Sequence, residues 1–255
     1  MKRSVSREQY KRFANLSFED FKRMAQDDSL SGYEKIGFPD SYRKGKEKFI
    51  FRDIVGKLPS LLGKKKVVLD IGPGCSELPT MLIDLCRRNH HTLILVDSEE
   101  MLSRLPGERF VRKVAGFYPY CEGLLKRYRR KIDVILTYSV AHYVFVESNL
   151  WDFLDTSLEL LSDRGQMLIG DIPNVSKRKR FFSSAAGIRF HQEFTGTKEI
   201  PEAKFNTVER HHIDDAVVLA LLARARNAGF DAYVLPQKED LPMANRREDL
   251  LIRKP

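Results

Sequence analysis

The chain has 255 residues, 42% of them apolar and 31% charged, with no long biased tract. This excludes a disordered or fibrous protein and leaves room for one core with a small attachment. A formal charge of +9 favours anionic partners such as phosphorylated metabolites, nucleotides or nucleic acid, without choosing among them. No run reaches the ~18 apolar residues of a membrane span. The start Met1-Lys2-Arg3 continues into Ser6-Arg7-Glu8-Gln9 rather than a secretory apolar stretch, and Cys75, Cys86 and Cys121 form no C-x-x-C pair. The expectation is a cytoplasmic protein with reduced thiols, no metal and no membrane contact.

In chain order, residues 1–62 read as a helical cap, with Ser17 and Asp20 giving a capping signal ahead of Phe18, Phe21 and Met24. From Gly32 to Lys48 aromatics alternate with cations. Tyr33, Tyr42 and Arg43 are candidates for substrate contact there, beside the plainer reading of a helical cap. At Lys66 the texture changes to Val67-Val68-Leu69-Asp70-Ile71, a β-branched run suited to a strand covered on both faces. A glycine turn, a helix over 76–88, a second buried strand over 92–96 and a short helix over 99–104 follow.

The alternation continues through a strand over 110–114, a helix near 121–129, a strand over 132–137, a helix over 149–161, a strand over 166–170 and an apolar helix over 213–228. Two strands, over 230–235 and 249–253, end the chain without a helix between them and are expected to add an antiparallel edge. The reading is an α/β domain over 63–255 with seven strands, mostly parallel, the last antiparallel, and an insertion over 173–211 placed as a lid. In that insertion Arg178, Arg180 and His191 are candidates to grip a phosphate or a base, against the plainer reading of a solvated helix start. His211-His212 reads as a helix cap rather than a metal pair.

The most informative stretch is Asp70-Ile71-Gly72-Pro73-Gly74-Cys75-Ser76-Glu77, a strand turning through two glycines into a helix. A dinucleotide loop would carry a third glycine at position 77. Glu77 would instead set a carboxylate where a pyrophosphate lies, which disfavours NAD. A ligand with an adenosine and a cationic end suits the acids Asp70 and Glu77 better. Asp97, 25 positions beyond Gly72 at the end of the second strand, is placed to accept ribose hydroxyls.

Val68-Leu69-Asp70-Ile71-Gly72-Pro73-Gly74 and Val96-Asp97-Ser98-Glu99-Glu100-Met101-Leu102 resemble the first and second motifs of the class I S-adenosylmethionine (SAM)-dependent methyltransferases, and the resemblance runs over residues 66–255. It implies a seven-stranded, mostly parallel Rossmann-like sheet and SAM as cofactor. Asp70, Gly72 and Gly74 would lie at the methionine end, Asp97 at the ribose, and Ser98 and Met101 near the adenine. Many members carry one more residue between the acid and the methionine of the second motif. Many also have an acid where this chain has Ala115-Gly116-Phe117, so Gly116 would meet the adenine through backbone. Tyr138 and Ser139, after the fourth strand, would line the cofactor.

His142 is the first candidate for a base, because an imidazole titrates near pH ~6.5. Asp171, after the fifth strand, is the second, and each could instead be a helix or turn cap. The short catalytic core, the lack of a recognisable RNA-binding module and the basic insertion favour O-methylation of a small anionic metabolite such as a phosphorylated or nucleotide-linked sugar. Asn245-Arg246-Arg247-Glu248-Asp249 is also similar to methyltransferases of bacterial surface-polysaccharide pathways, including those acting on a phosphoramidate. The alternatives are an RNA methyltransferase, with Lys126-Arg127-Tyr128-Arg129-Arg130-Lys131 as a backbone-binding stripe, and a SAM-binding protein without turnover.

Overall fold

The computed structural model describes residues 12–13, 15–121 and 123–255, so the earliest part of the expected cap lies outside the described residues. Apolar runs buried on both faces set the centre of the molecule. They form β1 (Val67–Ile71), β2 (Thr92–Asp97), β3 (Val111–Ala115), β4 (Ile132–Tyr138), β5 (Leu161–Pro173), β6 (Asp231–Pro236) and β7 (Arg247–Arg253). These make one seven-stranded sheet in the order β3-β2-β1-β4-β5-β7-β6. β7 runs antiparallel to both β5 and β6, and the other pairings are parallel. The expected antiparallel last strand is therefore present, inserted between β5 and β6.

Because side chains alternate along a strand, β1 and β2 feed two separate cores. Leu69 and Ile94 point to the face covered by α9 (Leu150–Leu160) and α12 (Asp215–Asn227), where Phe153, Leu158 and Leu221 are fully or nearly buried. Val68 and Leu93 point to the other face, against Leu82 and Ile83 of α5 (Glu77–Asn89).

The cap supplies α1 (Phe18–Gln26), α2 (Gly32–Lys35), α3 (Asp40–Arg43) and α4 (Glu47–Lys57). The expected capping box is formed: the Asp20 amide donates to Ser17 Oγ at 3.2 Å and the Ser17 amide to Asp20 Oδ2 at 2.8 Å. α4 is no appendage. Its Ile50 and Ile54, with Leu58 and Leu61, belong to the same apolar cluster as Val68 and Leu93, so the boundary drawn at residue 62 crosses a shared core. The insertion forms α10 (Val175–Phe182) and α11 (Ala185–Thr195), and the Val175 amide donates to the Ile213 carbonyl at 2.9 Å, which closes its base. Three shorter α-helices, α6 (Glu99–Ser103), α7 (Leu124–Tyr128) and α8 (Ala141–Glu147), and two 3-10 turns, Pro59–Leu62 and Ala244–Arg246, complete the described fold.

β5 extends past the expected 166–170 because polar partners carry its end. The Asp171 amide donates to Asp249 Oδ1 at 2.8 Å, and Gln237 Nε2 donates to Asp249 Oδ1 at 3.0 Å. Lys57 of α4 reaches the same group, donating to Asp249 Oδ2 at 2.7 Å and also to Asp53. Asp249 is fully buried and Asp53 only 3% exposed, so Lys57 bridges two carboxylates that water does not reach. Removing one partner of a buried ion pair leaves a charge uncompensated, at a cost of about 3–5 kcal/mol. Lys57→Met is expected to lower unfolding stability in urea by about that amount, with native secondary structure kept by circular dichroism. A loss below about 1 kcal/mol would show the cluster to be solvated.

Candidate cofactor and acceptor site

The strand order reverses between β1 and β4, and in such sheets a crevice opens at the carboxyl ends of the two strands. β1 runs into that crevice through Gly72 and Gly74, with φ of 68° and 64°. A Cβ at Gly72 would lie 2.6 Å from Val140 Cγ2, and one at Gly74 would lie 2.5 Å from Ile36 Cγ2. Both the angle and the space therefore require glycine. The Gly74 amide donates to Asp97 Oδ2 at 3.0 Å and the Ser98 amide to Asp97 Oδ1 at 2.7 Å. These bonds orient the carboxylate and leave each oxygen a second lone pair for a ligand.

Gly72, Gly74, Asp97, Met101, Gly116, Tyr138 and Ser139 line one cavity. Three other expected cofactor residues do not. Asp70 lies buried at the end of β1 behind the glycine loop, and Ser98 caps α6 by accepting the Met101 amide at 3.2 Å. Glu77 begins α5 and lines a separate surface pocket with Tyr33. Burial, then the bond to Glu77, pushes the Tyr33 phenol up to about 12. The pair is thus spent on joining α2 to α5, away from the crevice.

The cap roofs the cavity. Phe18 meets Phe117 edge-on at 5.1 Å, Phe21 meets Tyr143 at 4.9 Å, and the Phe18 amide donates to Glu147 Oε2 at 2.9 Å. Two buried charged residues of the cap reach into it. Arg43, called as a substrate contact, is 3% exposed and lies 4.2 Å over the Phe38 ring. Its Nη2 donates to Ser139 Oγ at 2.6 Å and to Asp171 Oδ2 at 3.3 Å, while its Nε has no hydrogen-bond partner. Glu47 is fully buried, with neither carboxylate oxygen in a well-formed hydrogen bond. Burial pushes its carboxyl up, opposed by the Ser76 hydroxyl, the Arg43 charge and the Leu78 amide.

Glu47 escaped the sequence reading because Lys44-Gly45-Lys46-Glu47-Lys48 looks like a solvated charge run. The usable signal was its spacing to Ile50 and Ile54, which puts all three on the buried face of α4.

Asp171 adopts φ 59° and accepts four side-chain donors. Its Oδ2 accepts from Ser139, Arg43 and, at 2.9 Å, Arg247, and its Oδ1 accepts from Gln237 at 3.2 Å. A carboxylate that holds four donors, from the cap, from Ser139 just after β4, from β7 and from Gln237, acts as a fastener. For His142, burial and then the Arg247 charge push the imidazole down to about 3. It stays neutral at working pH, and its conjugate acid is too strong for it to hold an acceptor's proton.

His142 instead lines a second, larger cavity of about 770 Å³, together with Arg178, Arg210, His211, Arg246 and Arg247. Tyr143 and Glu147 line both cavities, so the two meet along α8. The remaining substrate candidates lie elsewhere. Arg180 pairs with Asp215 at the surface, His191 packs edge-on to Phe182 at 6.1 Å, and Tyr42 is half-buried on α3. Among the described residues no cluster of His, Cys, Asp and Glu is arranged to hold a metal, and no helix is long and apolar enough to cross a membrane.

The sequence matches no family model and no curated protein. Solved structures share its fold. A protein of Listeria monocytogenes assigned as an S-adenosylmethionine-dependent methyltransferase aligns with a TM-score of 0.55 at 16% identity, over 84% of this chain and 100% of that one. Phosphoethanolamine N-methyltransferase 2 of Haemonchus contortus, solved with S-adenosylhomocysteine, aligns with 0.57 at 12% identity, over 94% of this chain and 60% of that one. The methyltransferase domain of bacterial CtHen1-C aligns with 0.53 at 15% identity, over 82% and 97%. The chain therefore has the Rossmann-like fold of the SAM-dependent methyltransferases.

Burial, with the Asp97 charge added, pushes Asp70 up to about 8, and burial pushes Asp97 up to about 6 despite its two amide donors. The folded chain thus keeps a proton on Asp70 that an unfolded chain loses near 3.8, so this residue lowers stability progressively as pH rises from about 4 to about 8. Thermal melts of the ligand-free protein between pH 5 and 8 are expected to fall more steeply with pH for the wild type than for Asp70→Asn. Parallel slopes would show that Asp70 is ionised in the fold.

Proposed function

We propose that this protein transfers the methyl group of S-adenosylmethionine to an oxygen of a small anionic acceptor. The observation that carries the reading is the pair Arg43 and Glu47, buried in the wall beside the glycine loop, with an unpartnered Nε and a carboxylate whose oxygens make no well-formed hydrogen bond. A buried cation and a buried anion left open side by side suit a zwitterion, and the methionine end of SAM is one. Arg43 would bind its carboxylate and Glu47 its ammonium, Asp97 the ribose hydroxyls, and Met101 and Phe117 the faces of the adenine.

When bound, SAM supplies an electrophilic methyl: an acceptor oxygen forms the new C–O bond with its lone pair while the C–S pair returns to sulfur, leaving S-adenosylhomocysteine. The protein's part is placement. The roof of Phe18, Phe21 and Phe38 excludes water, and Tyr143 and Glu147, shared by both cavities, border the point where the acceptor oxygen must lie. Glu147 receives the hydroxyl proton. Its oxygens accept only the Phe18 amide among the described hydrogen bonds, whereas Asp171 accepts four side-chain donors.

Phosphorylated or nucleotide-linked sugars of surface-polysaccharide synthesis are acceptors of this class. RNA is the less favoured one, since the basic stripe 126–131 immediately precedes β4 and so lies at the far end of the strand from the crevice, where Arg129 and Arg130 pair with Glu159 and Asp163.

Calorimetric titration with SAM, and separately with NAD, tests the cofactor. Micromolar SAM binding without NAD binding is expected, weakened at least about tenfold in Asp97→Ala and in Glu47→Gln, about 1.4 kcal/mol or more each. Because the ionised Asp97 is the hydroxyl acceptor, SAM affinity is expected to fall as pH drops below about 6. Absence of SAM binding, or a preference for NAD, would end the reading.

A further inference from the structure

The basic residues of the second cavity come from segments far apart in sequence, and the fold gathers them deliberately. Asn174, 1% exposed, accepts the Lys177 amide at 3.1 Å and donates to Asp215 at 2.8 Å and Glu248 at 2.6 Å, which fixes the start of α10. Lys177 Nζ donates to the Arg247 carbonyl at 2.6 Å, tying α10 to the start of β7. The Arg178 guanidinium then lies 5.6 Å from the Phe182 ring centre and that of Arg246 lies 5.9 Å from the same ring. One aromatic ring thus attracts guanidiniums from two different elements. Arg247 is held beside them by its bond to Asp171.

Among the described residues, four arginines, Arg178, Arg210, Arg246 and Arg247, and two carboxylates, Glu147 and Glu209, line the cavity, and Arg247 is also paired with Asp171. Glu209 is already paired with Lys179 at 2.8 Å, and Glu147 stands at the wall shared with the cofactor cavity. An excess of positive charge in a concave site calls for an anion, and planar guanidinium forks match a tetrahedral phosphate by paired N–H donors. The neutral His142 adds a polar ring without adding charge.

We infer that the second cavity is a phosphate site, in which Arg178, Arg246 and Arg247 hold a phosphate or pyrophosphate group of the acceptor and direct its nucleophilic oxygen to Tyr143 and Glu147. This inference rests on the proposed methyl transfer only for the word acceptor; the anion site stands on its own geometry. Its chemistry requires a phosphorylated rather than a merely polar molecule, so a neutral sugar does not bind. A reaction that attaches a phosphate or a nucleoside diphosphate must precede this step.

The test uses the full chain with S-adenosylhomocysteine present, titrated calorimetrically with inorganic pyrophosphate, inorganic phosphate and glucose. Pyrophosphate is expected to bind, glucose not to bind, and Arg178→Ala to weaken pyrophosphate at least about tenfold while leaving S-adenosylhomocysteine affinity unchanged. Arg180→Ala, two positions away and paired with Asp215 outside the cavity, is expected to match the wild type and serves as the control for surface charge. Equal losses in the two variants, or no pyrophosphate binding by the wild type, would overturn the inference. Pyrophosphate binding lost only in Arg178→Ala, in a chain that binds neither SAM nor S-adenosylhomocysteine, would support the phosphate site while removing the proposed cofactor.

Discussion

The buried contact between Arg43 and Asp171, 3.3 Å apart and each about 3% exposed, joins the helical cap to the carboxyl ends of β4 and β5. Two charges so far from water are costly unless their remaining hydrogen-bonding capacity is met. Ser139, Arg247 and Gln237 meet it on the Asp171 side while Arg43 keeps an open Nε, and Gln237 passes the connection on to Asp249, which Lys57 pairs with. The seam runs from the cap through both strand ends to the antiparallel edge, so the roof over the cofactor cavity and the floor beneath it are parts of one polar network. Ser139 and Asp171 both sit at positive φ, 63° and 59°. Non-glycine residues hold that conformation only where their surroundings over-determine it, and these two are the side chains that Arg43 grips.

That dependence explains what the sequence could and could not reveal. The sheet was legible because its signal is local: β1, β2 and β4 are continuous apolar runs, and the lack of a crossover-helix pattern between β6 and β7 already implied an antiparallel pair. The glycine loop was legible too, since Gly72, Gly74 and Asp97 lie within one β-α-β unit whose spacing carries its own geometry. The cap was not. Arg43 and Glu47 reach the cavity by folding back over β1 and β4, across separations of 96 residues for Arg43 and Ser139, and no local pattern encodes such a return. Glu77 looked like a ligand because it occupies the position of a motif glycine. As the first residue of α5 it meets Tyr33 instead.

The two candidate bases show a different limit. His142 lies just beyond β4 as the sequence suggested, and Asp171 lies within the extended end of β5 rather than after it, but position is not basicity. The proton affinity of His142 depends on its burial and on the Arg247 charge, and the lone pairs of Asp171 are claimed by donors from the cap, from β7 and from Gln237. All of these arise from the tertiary fold. Glu147 drew no notice in the sequence because an acidic residue ending a short helix is ordinary. What distinguishes it is that two cavities share it.

The division of charge between those cavities bears on turnover under the proposed reaction. Among the described residues, Asp97, Glu47 and the shared Glu147 outnumber Arg43 on the cofactor side, and arginines outnumber carboxylates on the other, so a sulfonium and a phosphorylated acceptor would each be drawn to the side opposite in charge. Across the wall formed by Tyr143 and Glu147 the two ligands would also attract each other, which favours the close approach that displacement at the methyl carbon demands. Transfer removes the sulfonium charge. The thioether product no longer attracts the anionic partner, so the same electrostatics that assemble the reactants would weaken the hold on the products once the bond has formed.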